Sequence, residues 1–124
     1  MDLTPVIPKG RQVIESYGPG GFRVSGLDHP RSILVFPDAT VAWDIVDFSA
    51  VTVDALAPVL SHGGVEILLL GCGPRLQPVP PSLRQALRAA GIGIDAMDTG
   101  AACRTYNVLM AEERQVAAAL IRPG

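Results

Sequence analysis

The feature that most constrains the fold is an unbroken apolar run at residues 67–70, which stops abruptly at the turn-forming residues 71–74, Gly-Cys-Gly-Pro. A short apolar run bounded by turn residues is typical of a β-strand that is covered on both of its faces. Such a strand needs other elements packed above and below it, which indicates a layered α/β fold. We therefore predict a buried strand over residues 65–70.

Other segments alternate between strand and helix patterns around this strand. Strands are predicted at residues 13–17, 22–24, 32–36, 40–44 and 92–97, and helices at 53–61, at 81–90 and from about 101 onward. Strand–helix–strand alternation implies right-handed crossovers and a mostly parallel central sheet. The fold expected is an α/β domain in which the strands 65–70 and 92–97 lie side by side and parallel.

The two ends of the chain are less regular. Residues 1–12 are predicted to be an irregular lead-in, and residues 13–124 a single domain. The turn sequence Gly-Pro-Gly-Gly at 18–21 predicts an additional N-terminal β-hairpin, because glycine reaches positive φ without a steric clash. The alanine-rich tail, residues 114–121, fits either a helix or a short buried strand.

Composition argues against several classes of function. The net charge is −2 and the arginines are scattered among few aromatic residues, whereas nucleic-acid binders carry basic stripes. The apolar runs are too short to cross a bilayer, so no membrane insertion is expected. The first residues resemble neither a secretory signal nor a transit peptide, and a cytoplasmic location is expected.

The two cysteines, Cys72 and Cys103, are far apart in the sequence and form no CxxC pair. No histidine lies at a spacing that would complete a zinc site with them. We expect two reduced, partly buried thiols, no metal and no cofactor.

The glycine turn after the buried strand is the first candidate site. Gly71 and Gly73 resemble the start of a methyltransferase or dinucleotide-binding loop, but Arg75 and Leu76 stand where further glycines would be required. Cys72 is a potential nucleophile, although neither histidine has a sequence context that would pair it with this thiol. A turn that simply ends a central strand is the favoured interpretation.

The second candidate site is residues 98–107, at the carboxyl end of a predicted parallel strand, where ligands of open α/β sheets bind. Its polar side chains are Thr99, Arg104, Tyr106 and Asn107. The arginine could bind a carboxylate or phosphate. The alternative is a capped helix with a salt-bridging arginine and a buried asparagine that satisfies backbone groups.

The C-terminal half carries a family resemblance. Leu69–Gly73, Met97-Asp98-Thr99 and the run Ala101–Leu109 follow one another in an order that resembles the family of mitochondrial complex I assembly factor 3 and the adipogenesis-associated domain protein. The resemblance extends from about residue 14 to residue 121. It implies a three-layer α/β fold with a mixed central sheet, and a final strand, after Arg114, that is antiparallel to its neighbours. It supplies no catalytic residues.

Three hypotheses follow. The leading one is a non-catalytic, assembly-factor-like domain that binds a protein partner. The rival is a small-molecule binder or enzyme with a pocket between the loop 71–73 and the segment 99–107. The third is a homodimer formed through the strand edge of the hairpin around residues 18–21.

Overall fold

The computed structural model describes residues 10–124, so most of the predicted lead-in lies outside the described residues. A small antiparallel sheet comes first, with strands β1 (Ile14–Gly18), β2 (Gly21–Val24) and β3 (Leu27–His29) in that order. The predicted hairpin is confirmed, since Gly18 pairs with Gly21 across its turn. The short strand β3 was not predicted.

The central sheet has five strands in the order β5-β4-β8-β6-β7. They are β4 (Ile33–Phe36), β5 (Ala39–Ala42), β6 (Ile67–Gly71), β7 (Gly93–Met97) and β8 (Val116–Leu120). The helices are α1 (Ala57–His62), α2 (Pro81–Ala89) and α3 (Thr99–Ala111). No helix within residues 10–124 combines the length and apolarity that a membrane span requires.

The predicted parallel pair at the centre of the sheet is confirmed. Leu68 of β6 lies opposite Ile94 of β7 in a parallel ladder that runs from Ile67 to Gly71. The helix α2 connects the two strands, as a parallel connection requires. The carboxyl ends of β6 and β7 therefore meet at one edge of the sheet, which we call the carboxyl edge.

The tail forms a strand, as the resemblance implies, but its direction needs a correction. β8 is antiparallel to β4 and parallel to β6, so it is not antiparallel to both neighbours. The reason is that the helix α3 returns the chain to the opposite end of the sheet before β8 begins. As a result, β8 runs parallel to β6 and β7. The strand that opposes the other four is β4.

The sheet is buried on both faces. Alternate residues of β8 enter two apolar clusters, with Ala117 and Ala119 beside α1 and α2, and Val116, Ala118 and Leu120 beside α3 and the small sheet. All five residues of β8 are at most 1% exposed. Burial against both layers outweighs the intrinsic preference of alanine for helix, which settles the ambiguity of the tail.

The first helix is shorter than predicted. Thr52 accepts a hydrogen bond from the backbone N–H of Ala55 at 3.2 Å, in the turn that leads into the helix. A 3₁₀ turn at Asp54–Leu56 precedes α1, so that Pro58 falls in the first turn of the α-helix. Proline is tolerated there because the N–H that it lacks would have no intrahelical partner.

Candidate functional site

Thr99 joins three elements at the carboxyl edge of the sheet. Its hydroxyl accepts from the Gly73 N–H at 2.8 Å and donates to the Ile121 carbonyl at 2.7 Å. Its own N–H donates to the Gly73 carbonyl at 2.8 Å. The side chain is fully buried, so these bonds hold the loop after β6, the start of α3 and the end of β8 together.

The glycines of the loop serve this close approach. A Cβ atom at Gly71 would lie 3.0 Å from both Leu120 Cδ2 and Thr99 Oγ1, which is tighter than normal packing allows. Gly73 has a φ of +92°, in the region that glycine adopts without strain. The sequence predicts that both residues lie in a turn that ends a central strand. The structure shows why glycine is needed at these two positions.

The predicted polar residues further along α3 face the small sheet. The amide of Asn107 donates to the Ile14 carbonyl at 2.7 Å and accepts from the Ile14 N–H at 3.0 Å. Tyr106 is fully buried, and its hydroxyl donates to the Gln12 carbonyl at 3.0 Å. Burial raises the pKa of this phenol. These two side chains dock α3 against the strand β1 and the residues just before it.

Arg104 lies on the same side of α3 but is exposed. Its guanidinium donates to the Tyr17 hydroxyl. Next to this contact, Gly100 provides the room for the Tyr17 ring, because a Cβ atom there would lie 2.8 Å from the phenol oxygen. Arg104 thus reaches β1 and not the loop 71–73.

Both thiols are buried and held in the protonated form. Cys72 is 5% exposed and Cys103 is 2% exposed. Burial raises the pKa of the Cys72 thiol, and it raises the pKa of Cys103 to about 12 despite the nearby Arg104. A nucleophilic thiolate needs the opposite shift.

The structure therefore brings some of the predicted site residues together and separates others. Gly71, Gly73 and Thr99 meet at the carboxyl edge. Asn107 lies eight residues further along α3, which corresponds to about 12 Å of helix. Within residues 10–124, every buried side-chain nitrogen and oxygen has a hydrogen-bond partner, and no cluster of metal-ligating side chains occurs. A ligand-binding role for the seven predicted residues stays a prediction.

Two concave surfaces lie elsewhere. A cleft of about 520 Å³ is formed where β4 begins and β8 ends, and it is lined in part by Arg31, Trp43 and Arg122. A shallower one of about 500 Å³ lies over Tyr17 and Phe22 of the small sheet. Sequence reasoning missed the first cleft, because its residues are distant in the chain and meet only through sheet pairing.

Comparison with known proteins assigns the family. The family described as "Protein of unknown function (DUF498/DUF598)" matches residues 14–121. The chain belongs to this family. The resemblance inferred from the C-terminal motifs is confirmed, since the relatives include proteins named complex I assembly factor 3.

Two relatives align with most of this chain. An uncharacterised protein of Rhodobacter capsulatus is 38% identical, over 90% of this chain and 86% of its own length. The NADH dehydrogenase [ubiquinone] 1 alpha subcomplex assembly factor 3 of Danio rerio is 36% identical over 90% of this chain. The chain spans 64% of the length of that relative.

A solved structure extends the comparison to the fold. The crystal structure of a Bartonella henselae protein, described as an outer membrane protein, is 40% identical and superimposes with a TM-score of 0.85. It covers 93% of this chain, and this chain covers 98% of it. The α/β fold with a mixed sheet is therefore shared with an experimentally determined member.

Proposed function

We propose that this chain is a non-catalytic, assembly-factor-like module that acts by binding another protein. Relatives named as assembly factors support the proposal. The main observation in its support is that the candidate catalytic side chains are already engaged within the fold or are not in a reactive form. The side chains of Thr99 and Asn107 form hydrogen bonds with the main chain of other elements of the fold. The thiols of Cys72 and Cys103 have raised pKa values and are protonated.

The exposed surface offers apolar groups to a partner. Among residues 10–124, four large apolar side chains are more than half exposed: Leu27 at 68%, Val46 at 84%, Leu76 at 63% and Val108 at 54%. The fully buried centre of a protein interface is more apolar than its rim. These residues are the natural positions at which to probe for a partner.

Affinity capture tests the proposal directly. The tagged chain is expressed in its native cells, cross-linked and purified, and the co-purifying proteins are identified by mass spectrometry. We expect one reproducible partner, whose complex with the purified chain re-forms in size-exclusion chromatography with light scattering. Repeated capture without a reproducible partner would contradict the proposal.

Four charge substitutions map the contact surface. Leu27→Asp, Val46→Asp, Leu76→Asp and Val108→Asp each alter an exposed side chain, so each should leave the free energy of unfolding within about 0.5 kcal/mol of wild type. At least one of them should abolish recovery of the partner, and the others serve as its matched controls. The same light scattering of the chain alone tests the homodimer hypothesis.

The rival function has one observation in its favour, which is the contact between the loop at Gly73 and the start of α3 at Thr99. A small-molecule site there predicts that a phosphate- or carboxylate-bearing ligand raises the melting temperature. A screen of such ligands that produces no thermal shift would count against the rival.

We place this role in the cytoplasm, as the sequence predicts. Fractionation of native cells tests the location, with the chain followed by antibody in the cytoplasmic and membrane fractions. Recovery in the outer-membrane fraction would contradict the proposed location and would match the description of the Bartonella henselae protein.

A further inference from the structure

The connection between β6 and α2 contains a proline-rich segment at residues 74–81, Pro-Arg-Leu-Gln-Pro-Val-Pro-Pro. Seven of these eight residues are exposed, and Val79 is partly buried. Residues 76–80 belong to no helix, strand or turn. Neither of the two concave surfaces is lined by this segment. It is therefore a separate feature of the surface.

The prolines hold this segment in an extended conformation. The ring of proline fixes φ near −65°, and a residue that precedes proline is confined to extended conformations. Pro78 and Pro80 carry the ring, and Gln77, Val79 and Pro80 each precede a proline. Pro80 has a φ of −57° and a ψ of 135°, which are polyproline II values. Residues 77–80 therefore form a short polyproline II helix.

A polyproline II helix has three residues per turn, so its side chains form three ridges. One ridge contains Val79, which packs against the apolar cluster that lies beneath α2. The other two ridges are exposed, and they consist of Gln77 with Pro80 and of Pro78 with Pro81. The fold thus turns one ridge toward the core and presents the other two to solvent.

The domain fixes the end of this segment and leaves its middle open. The Pro80 carbonyl accepts the N–H of Arg84 at 3.1 Å, in the first turn of α2. Within residues 10–124, the carbonyls of Pro78 and Val79 accept no hydrogen bond. These two carbonyls can therefore accept hydrogen bonds from a partner. A segment that is already ordered loses little conformational entropy when it binds, which favours affinity.

Arg75 adds a positive charge at the amino end of the segment. It lies three residues before Pro78, which corresponds to one turn of polyproline II helix. Among residues 10–124, no carboxylate lies within 4.0 Å of its guanidinium. The carboxylate of Asp98, at the same edge of the sheet, accepts the N–H of Ala101 and caps α3. The exposed guanidinium can pair with a carboxylate of a partner.

We propose that residues 75–81 are a docking motif for a partner protein whose binding groove is lined with aromatic side chains. Grooves of this kind, as in SH3 domains, bind Pro-x-x-Pro segments in the polyproline II conformation. Pro78 and Pro81 have this spacing. A carboxylate at one end of the groove pairs with Arg75 and fixes the direction in which the segment binds. The inference rests on the proposed function and specifies the chemistry of the partner.

A purified SH3 domain that binds Pro-x-x-Pro ligands tests whether the folded chain presents this motif. The SH3 domain is isotope-labelled, and its chemical shifts are followed by NMR as the unlabelled chain is added. We expect saturable shifts that are confined to the aromatic groove. The reference is the acetylated and amidated peptide of residues 74–82. The intact chain should bind at least as tightly as this peptide, because its segment is already ordered.

Matched variants assign the binding to the exposed ridges. Pro78→Ala/Pro80→Ala removes one ring from each exposed ridge and should weaken binding by at least about tenfold. Arg75→Gln should weaken it severalfold, and the difference from wild type should shrink as salt is added. Pro19→Ala is the control, since it removes an exposed proline outside the segment and should leave binding unchanged. Far-UV circular dichroism and urea denaturation confirm that each variant is folded.

Three outcomes would overturn the inference. If neither the peptide nor the chain binds the SH3 domain, the sequence is not a ligand for an aromatic groove. If the peptide binds and the chain does not, the fold covers the two ridges. Unchanged binding by Pro78→Ala/Pro80→Ala would place the contact elsewhere on the chain. In each case the prolines serve only as a rigid connection between β6 and α2.

Capture experiments separate this inference from the proposed function. Wild type should recover the partner, and Pro78→Ala/Pro80→Ala should not. If both recover the same partner equally well, the segment is not the docking motif but the proposed function stands. If wild type recovers no partner, the proposed function fails whatever the result with the SH3 domain.

Discussion

The side-chain amide of Asn107 pairs with the main chain of Ile14 as a neighbouring strand would, donating to its carbonyl and accepting from its N–H. The two residues are 93 positions apart in the chain. A helix side chain thus satisfies both polar groups of a residue in β1, and the small sheet is joined to the core at this point.

Asn107→Ala should therefore loosen the small sheet. It removes two hydrogen bonds and leaves both polar groups of Ile14 without their partner, which should lower the free energy of unfolding by about 2–3 kcal/mol. Urea denaturation measures the loss, and hydrogen exchange should accelerate at the Ile14 amide. Val108→Ala, at the exposed neighbouring position, should change the stability by less than about 0.5 kcal/mol. Equal stability of the two variants would contradict the role of Asn107.

Gly21 is the position of the hairpin that should tolerate substitution least. Its φ is +112°, and a Cβ atom there would lie 2.0 Å from the His29 carbonyl oxygen. Because the clash is with main chain, Gly21→Ala should destabilise the protein by about 3 kcal/mol or more. Gly20 has open space around it, so Gly20→Ala should cost less than about 1 kcal/mol. Thermal denaturation compares the two, and similar melting temperatures would contradict the prediction.

A histidine–carboxylate pair links α1 to the turn after β4. His62 Nε2 lies 2.8 Å from Asp38 Oδ1, and His62 Nδ1 lies 2.9 Å from the Gly63 carbonyl oxygen. Both partners are acceptors, so only the doubly protonated ring donates to both. Burial lowers the pKa of His62, but these two hydrogen bonds outweigh it and the net shift is upward. The hydrogen bond from His62 lowers the pKa of Asp38.

The sign of the pH dependence follows from these two shifts. The raised pKa of His62 stabilises the fold fully below the ordinary histidine value of about 6.5, and this contribution disappears as the pH rises through the folded pKa. The lowered pKa of Asp38 stabilises the fold above about pH 4, and this contribution disappears as the pH falls further. The pair thus contributes most at mildly acidic pH. The effect should be small because the Asp38 side chain is 68% exposed.

Denaturation of wild type and His62→Gln across this pH range tests the pair. Wild type should lose stability relative to the variant between about pH 6 and pH 8. The variant also loses the stacking of the ring on Phe36, with centroids 4.1 Å apart, so the comparison is of slopes and not of absolute stability. Parallel pH profiles of the two proteins would show that the pair does not stabilise the fold.

The sequence predicted those parts of the fold whose pattern is local. The apolar run of β6 and the glycine turn before β2 each carry their own signal, and both were predicted in place. The direction of β8 depends on how α3 returns the chain across the sheet, which no local pattern in the tail encodes. The strand β3 is three residues long, and its single cue was the Ser25-Gly26 turn, where both residues have positive φ.

The sequence identified the polar residues of the candidate site, but it did not identify the residues with which they form hydrogen bonds. Composition and position marked Thr99 and Asn107 as polar residues on a short stretch of chain. Their hydrogen bonds go to Gly73, Ile121 and Ile14, which are separated from them by 22 to 93 positions. The cleft at Arg31 and Arg122 was missed for the same reason. Arg31 precedes β4 and Arg122 follows β8, and the pairing of these two strands brings both residues to the same end of the sheet.

The protonated state of the two thiols predicts that both resist chemical modification in the folded protein. With a pKa raised to about 12, Cys103 would be a thiolate in about one molecule in ten thousand at pH 8. Cys72 is 5% exposed as a residue, and its burial raises the pKa of its thiol. Iodoacetamide at about pH 8 should therefore label neither residue on the timescale in which it labels both in guanidinium chloride.

Mass spectrometry of the intact and digested protein measures this labelling and assigns it to each cysteine. The denatured sample is the control, because it shows that both thiols are reduced and reactive once exposed. Rapid labelling of Cys72 in the native protein would contradict the prediction, since it would require a thiol accessible at the end of β6. It would also return the loop 71–73 to consideration as a nucleophilic site, because an accessible thiolate is what covalent catalysis requires.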